Sequence, residues 1–167
     1  MRNLIMIFGI CMLNATYGIL AQTSATANFT ASATIIQPIT ITTTSDMNFA
    51  NIDAKTGGQI ILTPDNIRTS SGGVVLAGEE NLSAATFIVT GQSGYTYDIS
   101  LPEDIYTLSN GIENMVINNF TSSISNGNLI ADESQIIRVG ATLNVNANQT
   151  PGFYSTPAPL NVTVNYN

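Results

Sequence analysis

The 167-residue sequence contains no histidine and no tryptophan, and its single cysteine is Cys11. Without histidine the chain lacks the most common general base, and with so little cysteine it also lacks the soft ligands of most zinc sites. Basic residues are scarce as well, since four Lys and Arg stand against 11 Asp and Glu. Nucleic acid binding needs clustered cations that contact phosphates, so this composition predicts no nucleic acid partner.

Charge of either sign is rare, because charged residues make up only 9% of the chain while hydrophobic residues make up 44%. Disordered segments show the opposite balance, with much charge and little apolar surface to bury. The polar remainder is rich in Thr, Asn and Ser. We therefore expect a folded chain with enough apolar residues for a substantial core.

The N-terminus has the pattern of a secretory signal peptide. Met1-Arg2-Asn3 supplies one positive charge, and Leu4–Leu13 is an uncharged apolar run too short to span a bilayer. Cleavage after Ala21 would leave residues 22–167 as a single secreted domain, located outside the cell or on its surface after passage through the periplasm. Cys11 would be removed with residues 1–21, so no disulfide or thiol chemistry is expected in the mature protein.

Apolar and polar residues alternate with a period of two along most of the chain, which is the pattern of half-buried β-strands. No segment predicts a helix of three turns, and residues 102–114 could hold a single turn at most. About nine or ten strands are expected. Besides residues 25–35, the strand-like segments are Ile39–Thr42, Met47–Phe49, Gln59–Thr63, Val74–Leu76, Ala84–Thr90, Tyr95–Leu101, Met115–Phe120, Ile136–Val145 and Leu160–Asn167. The predicted fold is an antiparallel two-sheet Ig-like β-sandwich, with a small closed barrel as the alternative.

The sequence offers few candidates for catalytic or metal-binding residues. Two carboxylates suffice for glycoside hydrolysis, and the candidates are Asp98, Glu103 and Asp104, but solvated surface charge is the favoured interpretation. The chain is therefore predicted not to be an enzyme, and no cofactor is expected. Oxygen ligands for calcium exist without the spacing of a calcium loop, so no metal site is predicted. These scattered carboxylates are Asp46, Asp53, Asp65, Asp132 and Glu133.

The two ends of the mature chain carry the clearest alternation. At the C-terminus the apolar positions are Leu160, Val162, Val164 and Tyr166. At the N-terminus they are Ala25, Ala27, Phe29, Ala31, Ala33 and Ile35, with Pro38 interrupting the pattern soon afterwards. These segments could be the first and last strands of one sandwich. Alternatively, residues 22–36 could form a donor strand that adds to the open sheet edge of a neighbouring copy.

A second class of function is a monomeric binding module, such as an adhesin or a carbohydrate-binding domain. Such a module needs an exposed aromatic cluster. The candidates are Tyr95, Tyr97, Tyr106, Phe153 and Tyr154. Tyr95 and Tyr97 share a strand face with Ile99 and Leu101, so core packing is the favoured role for that pair.

Several segments resemble a family of secreted bacterial proteins called domain of unknown function 4402. The resemblance covers the chain from about Ala25 to its end, and it implies no activity because the family has none established. The matching segments are Ala33–Ile41, Asp46–Phe49, Phe87–Gly91, Tyr95–Tyr97, Leu101-Pro102, Val139–Val145 and Val162–Asn167.

This family is similar in plan to spore-coat-protein-U-like and chaperone–usher pilin domains, which end in a β-strand with a penultimate aromatic residue. Tyr166 matches that residue. The resemblance implies a fimbria-like or adhesive surface assembly, with copies of the chain, other surface subunits, a periplasmic chaperone and an usher as partners. Two departures are the missing disulfide and the approach to the last strand, where Pro157 and Pro159 lie in the segment Gly152–Pro159.

Overall fold

The structure is a computed structural model that describes residues 24–128 and 134–167. The chain divides into two units, residues 1–35 and residues 36–167. In the first unit, residues 24–35 form no helix, strand or turn, and all their side chains are exposed. The strand predicted over residues 25–35 is therefore not formed in this chain. The predicted signal peptide, residues 1–21, lies outside the described residues.

The second unit is all-β, as predicted: twelve strands and no helix lie within its described part. No helix of the described chain is long and apolar enough to cross a membrane. The strand count exceeds the predicted nine or ten because four strands, over residues 52–53, 68–72, 106–109 and 126–128, lie outside the predicted segments. The strands are β1 (Thr40–Ser45), β2 (Ile52–Asp53), β3 (Gly58–Leu62), β4 (Arg68–Gly72), β5 (Val75–Leu76), β6 (Ala85–Thr90), β7 (Thr96–Ser100), β8 (Tyr106–Ser109), β9 (Asn114–Ser122), β10 (Asn126–Asn128), β11 (Gln135–Val145) and β12 (Thr163–Tyr166).

Strand β11 organises the largest sheet, which has seven strands paired antiparallel. Along one edge β11 pairs first with β6 and then with β3, and along the other edge it pairs with β9. Strand β1 extends the sheet beyond β6, β4 extends it beyond β3, and β8 extends it beyond β9. From Val139 to Leu143 every residue of β11 is buried. Burial on both faces explains why this stretch reads as nearly continuous apolar sequence.

A second sheet has three antiparallel strands in the order β10-β7-β12, and β2 pairs with β5 in a separate ribbon. Tyr97 of β7 is fully buried and donates a hydrogen bond from its hydroxyl to Oε1 of Gln135 at 2.7 Å. Its ring occupies the position that a Cβ on Gly127 of β10 would take, 1.9 Å from the ring carbon that bears the hydroxyl. Glycine at position 127 therefore makes room for the tyrosine on the neighbouring strand.

Two clusters of buried side chains form the core. The first centres on Ile60, Leu62 and Leu143 of the large sheet. The second joins Val89 and Ile137 of that sheet to Tyr97 and Val164 of the three-stranded sheet. Met47 and Phe120 pack against both clusters, so the two sheets are connected through side chains as well as through the chain itself.

Several parts of the second unit differ from the sequence-based expectation. The strand predicted over Met47–Phe49 does not form, since Asn48 makes only an isolated bridge to Ser83, and the short strands β2 and β10 are not predicted. Residues 102–114, where at most a helical turn is predicted, contain β8 and the start of β9. Strand β4 is absent from the predicted set because four of its five residues are exposed and polar or glycine. Its buried residue, Arg68, donates hydrogen bonds to the carbonyl oxygens of Phe49 at 2.5 Å, Asn51 at 3.2 Å and Gly78. These carbonyls belong to loops, so sequence periodicity carries no sign of them.

Candidate assembly interface

The N-terminal segment, defined here as residues 24–36, has an exposed apolar face. Its large members are Phe29 and Ile35, whose relative exposures are 91% and 97%. The other apolar positions of the alternating pattern are Ala25, Ala27, Ala31 and Ala33, all exposed. Monomeric proteins seldom leave a contiguous apolar surface uncovered unless it meets a partner.

The backbone of residues 24–35 is the second feature of this face. A strand satisfies its N–H and C=O groups through a ladder, and residues 24–35 form no strand in the described structure. No residue of the N-terminal segment is charged, so nothing in it opposes pairing with another sheet through repulsion or ion desolvation. The segment combines alternating side chains with an unpaired backbone, which is what strand addition requires.

A closed set of three hydrogen bonds holds the chain where it enters the folded domain. The Tyr166 hydroxyl donates to the carbonyl oxygen of Gln37 at 2.9 Å and accepts from the backbone N–H of Gln92 at 2.5 Å. The backbone N–H of Gln37 donates to Oε1 of Gln92 at 3.1 Å. These contacts join the residue that follows the N-terminal segment to the β6–β7 loop and to the penultimate residue of the chain.

The C-terminal strand, a name used here for residues 160–166, includes β12 and three preceding residues that form no strand although the sequence predicts one there. It has the same alternation as the N-terminal segment, and its apolar face is packed. Val164 is buried, whereas Leu160, Val162 and Tyr166 are half-buried and alternate with exposed polar residues. Val162, Val164 and Tyr166 contribute to the second cluster, and the Tyr166 ring lies 5.5 Å from the ring of Tyr95. The Tyr166 ring therefore packs against the core, and its hydroxyl forms hydrogen bonds with Gln37 and Gln92.

The five aromatic residues considered for a binding surface are dispersed. Tyr97 lies in the second cluster, whereas Tyr106 and Tyr154 pack against the first. Phe153 is 83% exposed, and Tyr95 is 39% exposed beside Tyr166. Core packing was predicted for both Tyr95 and Tyr97; Tyr97 is buried, and Tyr95 remains largely at the surface. The five residues do not form one exposed cluster of the kind a carbohydrate site uses.

The carboxylates considered for chemistry lie at the surface. Asp98 is an exposed residue of β7, and Glu103 and Asp104 are exposed in the following loop. Among the calcium candidates Asp46, Asp53 and Asp65 are also exposed, and Asp53 lies 3.8 Å from the Lys55 ammonium. Asp132 and Glu133 lie outside the described residues. Within residues 24–128 and 134–167, no three His, Cys, Asp or Glu side chains are placed to hold a metal ion together.

Comparison with known protein families assigns this chain to one of them. A family model matches residues 39–166. The chain belongs to the family described as Domain of unknown function (DUF4402). The resemblance to this family is thus confirmed over residues 39–166, a range that excludes the N-terminal segment, whereas the resemblance in the sequence extends from about Ala25. No curated protein and no solved structure matches the chain.

Proposed function

We propose that this DUF4402 protein is an exported, non-enzymatic structural or adhesive subunit of a surface assembly built by β-strand addition. In this proposal residues 1–21 are removed as a signal peptide, and the N-terminal segment pairs with the sheet of a neighbouring copy. One observation carries the proposal: the alternating face of the N-terminal segment is uncovered, whereas the same alternation in the C-terminal strand is packed against the core.

The energetics favour a strand added between copies. Burial of a large apolar side chain contributes about 2 to 3 kcal/mol, so Phe29 and Ile35 together offer about 4 to 6 kcal/mol on docking. Backbone hydrogen bonds to an open edge add to this contribution. The mature chain has no cysteine with which to link copies covalently, and strand addition needs none.

The fold and location in this proposal follow from the same features. We propose that the seven-stranded and three-stranded sheets are the two layers of an Ig-like sandwich, because the second cluster is shared between them. The protein would pass through the periplasm and act at the cell surface or outside the cell. A periplasmic chaperone that covers an open edge during transit and an outer-membrane usher are the partners expected, together with other copies of the subunit.

Deletion of residues 22–34 tests the proposal. We expect the secreted full-length protein to form larger species as its concentration rises, and the deletion variant to stay monomeric with an unchanged free energy of unfolding. Size-exclusion chromatography with light scattering measures the first property, and urea denaturation of dilute samples measures the second.

A matched pair of double variants distinguishes an effect of the apolar side chains on assembly from an effect of the length of the segment. Replacing Phe29 and Ile35 by Ser should abolish assembly, whereas replacing Asn28 and Thr34 by Ser should leave it intact. Concentration-dependent filaments formed by the deletion variant would overturn the proposal.

A further inference from the structure

Strand β9 has an outer edge that is only half covered. Strand β8 pairs with its first part, from Ser109↔Asn114 to Tyr106↔Ile117. Beyond that point, residues 118–122 pair with β11 on one side, and no strand of the described chain pairs with them on the other. A strand edge without a neighbouring strand can serve as a template for an additional strand.

The open part of β9 is irregular. Its pairing with β11 shifts register between Gly140 and Thr142, and Asn119 of β9 has a positive φ of 50°. A bulge interrupts the regular ladder, so backbone pairing alone specifies the register of an added strand weakly. A strand that docks at residues 118–122 therefore needs a side chain that fits a particular place.

A cavity of about 440 Å³ lies beside this edge. Three of its lining residues, Ile99, Leu101 and Phe120, are half-buried and pack against the second cluster, so an apolar group entering the cavity would contact these three side chains. Glu103 is the one charged residue of the lining. The complete lining is Ile99, Ser100, Leu101, Pro102, Glu103, Asn119 and Phe120.

Building on the proposed function, we infer that the N-terminal segment of a second copy adds along the outer edge of residues 118–122 and places Phe29 in this cavity. Phe29 is the one aromatic residue of the segment, and its other apolar positions up to Ala33 are alanines. The cavity beside this edge can take one large side chain, and the segment offers one within an otherwise small-residue strand. The segment is uncharged, so it can approach the edge past Glu103 without repulsion.

The dimensions agree with this arrangement. An antiparallel strand rises about 3.4 Å per residue, so residues 118–122 offer an edge of about 17 Å. Residues 25–35 span about 37 Å when extended by the same rise. The segment can therefore pair along the whole open edge and still reach back to its own domain at Gln37.

Cysteine cross-linking between full-length copies tests the inference. All variants carry Cys11→Ser, so the introduced thiols are the only ones in the chain. One copy carries Ala31→Cys, which keeps Phe29 and lies on the same face of the segment, and the other carries Glu103→Cys at the cavity. After addition of a mild thiol oxidant, which accepts the two electrons released, we expect a mixed disulfide dimer, seen by non-reducing electrophoresis and mass spectrometry of differently tagged copies. Thr30→Cys, on the opposite face, is the matched control and should give no such dimer.

Two further variants make the outcome decisive. Adding Phe29→Ser to the Ala31→Cys copy should abolish the mixed dimer, whereas adding Asn28→Ser should preserve it. Ser70→Cys places a thiol on another exposed edge strand, β4, and should not cross-link to Ala31→Cys.

The possible results separate this inference from the proposed function. Cross-linking at Ser70 in place of Glu103 would overturn the cavity assignment while leaving strand addition intact. If neither cross-link forms, the cavity assignment is also overturned, provided that the full-length chain assembles and the variant lacking residues 22–34 does not. If the deletion variant itself assembles, the proposed function fails, and this inference fails with it.

Discussion

The N-terminal segment and the C-terminal strand alternate apolar and polar residues with the same period, yet one is uncovered and the other packed. The difference lies in side-chain size. The C-terminal strand presents Leu160, Val162, Val164 and Tyr166, whereas the N-terminal segment presents four alanines besides Phe29 and Ile35. Alanine buries little area, so Phe29 and Ile35 must supply most of the apolar free energy that offsets the entropy of ordering the chain wherever this face docks. Alternation thus shows that a segment can form a strand, and side-chain size determines how much the strand gains by docking.

The largest expected effect is on the free energy of unfolding, when an aromatic residue of the packed region is replaced rather than one of the N-terminal segment. Tyr97→Ala should lower the free energy of unfolding by about 3 to 5 kcal/mol, because it leaves a cavity at a fully buried site. Phe29→Ala should change it by less than about 0.5 kcal/mol in dilute monomer, because that ring is 91% exposed. Urea denaturation measures both. A comparable loss in the two variants would show that the N-terminal segment packs on its own domain and would remove the contrast.

A smaller effect is expected where the two regions meet. Tyr166→Phe removes the hydroxyl that binds Gln37 and Gln92, and should cost about 1 kcal/mol of unfolding free energy. The exchange of the Gln92 amide hydrogen should also become faster. Tyr95→Phe is the matched control, because the described structure shows no hydrogen bond from the Tyr95 hydroxyl, and it should change neither property. Equal effects in both variants would show that the hydroxyl of Tyr166 does not hold the chain.

The smallest effect is a pH dependence confined to the packed region. Burial raises the pKa of Tyr97 above its ordinary value of 10.0. The unfolded chain therefore loses this proton first, so the stabilisation is complete below about pH 10 and declines as pH rises toward the folded-state pKa. Urea denaturation between about pH 8 and about pH 11 should show a smaller decline in Tyr97→Phe than in the wild type. Because the N-terminal segment has no titratable side chain, a decline of the same size in both proteins would assign the dependence to other groups.

The sequence predicts well those elements whose stability depends on alternating side chains. Strands β6, β7, β11 and β12 lie where the period of two places them, because one or both faces of each meet the core. Strand β4 is not predicted because it is held in the sheet by backbone pairing with β3 and by one buried side chain, that of Arg68. Arg68 donates to loop carbonyls 10 to 19 residues away in sequence, while its buried Nε has no hydrogen-bond partner in the described structure. No alternation of side chains encodes such contacts.

The candidate interface is predictable only in part. The apolar face of residues 25–35 is evident from the sequence. Its exposure is not, because that depends on tertiary contacts that a local pattern does not show. The open edge of β9 depends on where β8 begins, at Tyr106, and on the register shift near Gly140. Both are set by long-range pairing. The hydrogen bonds among Gln37, Gln92 and Tyr166 likewise join residues far apart in sequence.

Those three hydrogen bonds also have a mechanical consequence. In a fibre joined through the N-terminal segment, tension would enter each subunit at Gln37, just before β1. From there part of the load passes directly into β1 and the seven-stranded sheet, and part passes through the Tyr166 hydroxyl into β12 and the three-stranded sheet. Tyr166 would thus distribute the tensile load over both sheets. Without this contact the whole load would act on the pairing of β1 with β6.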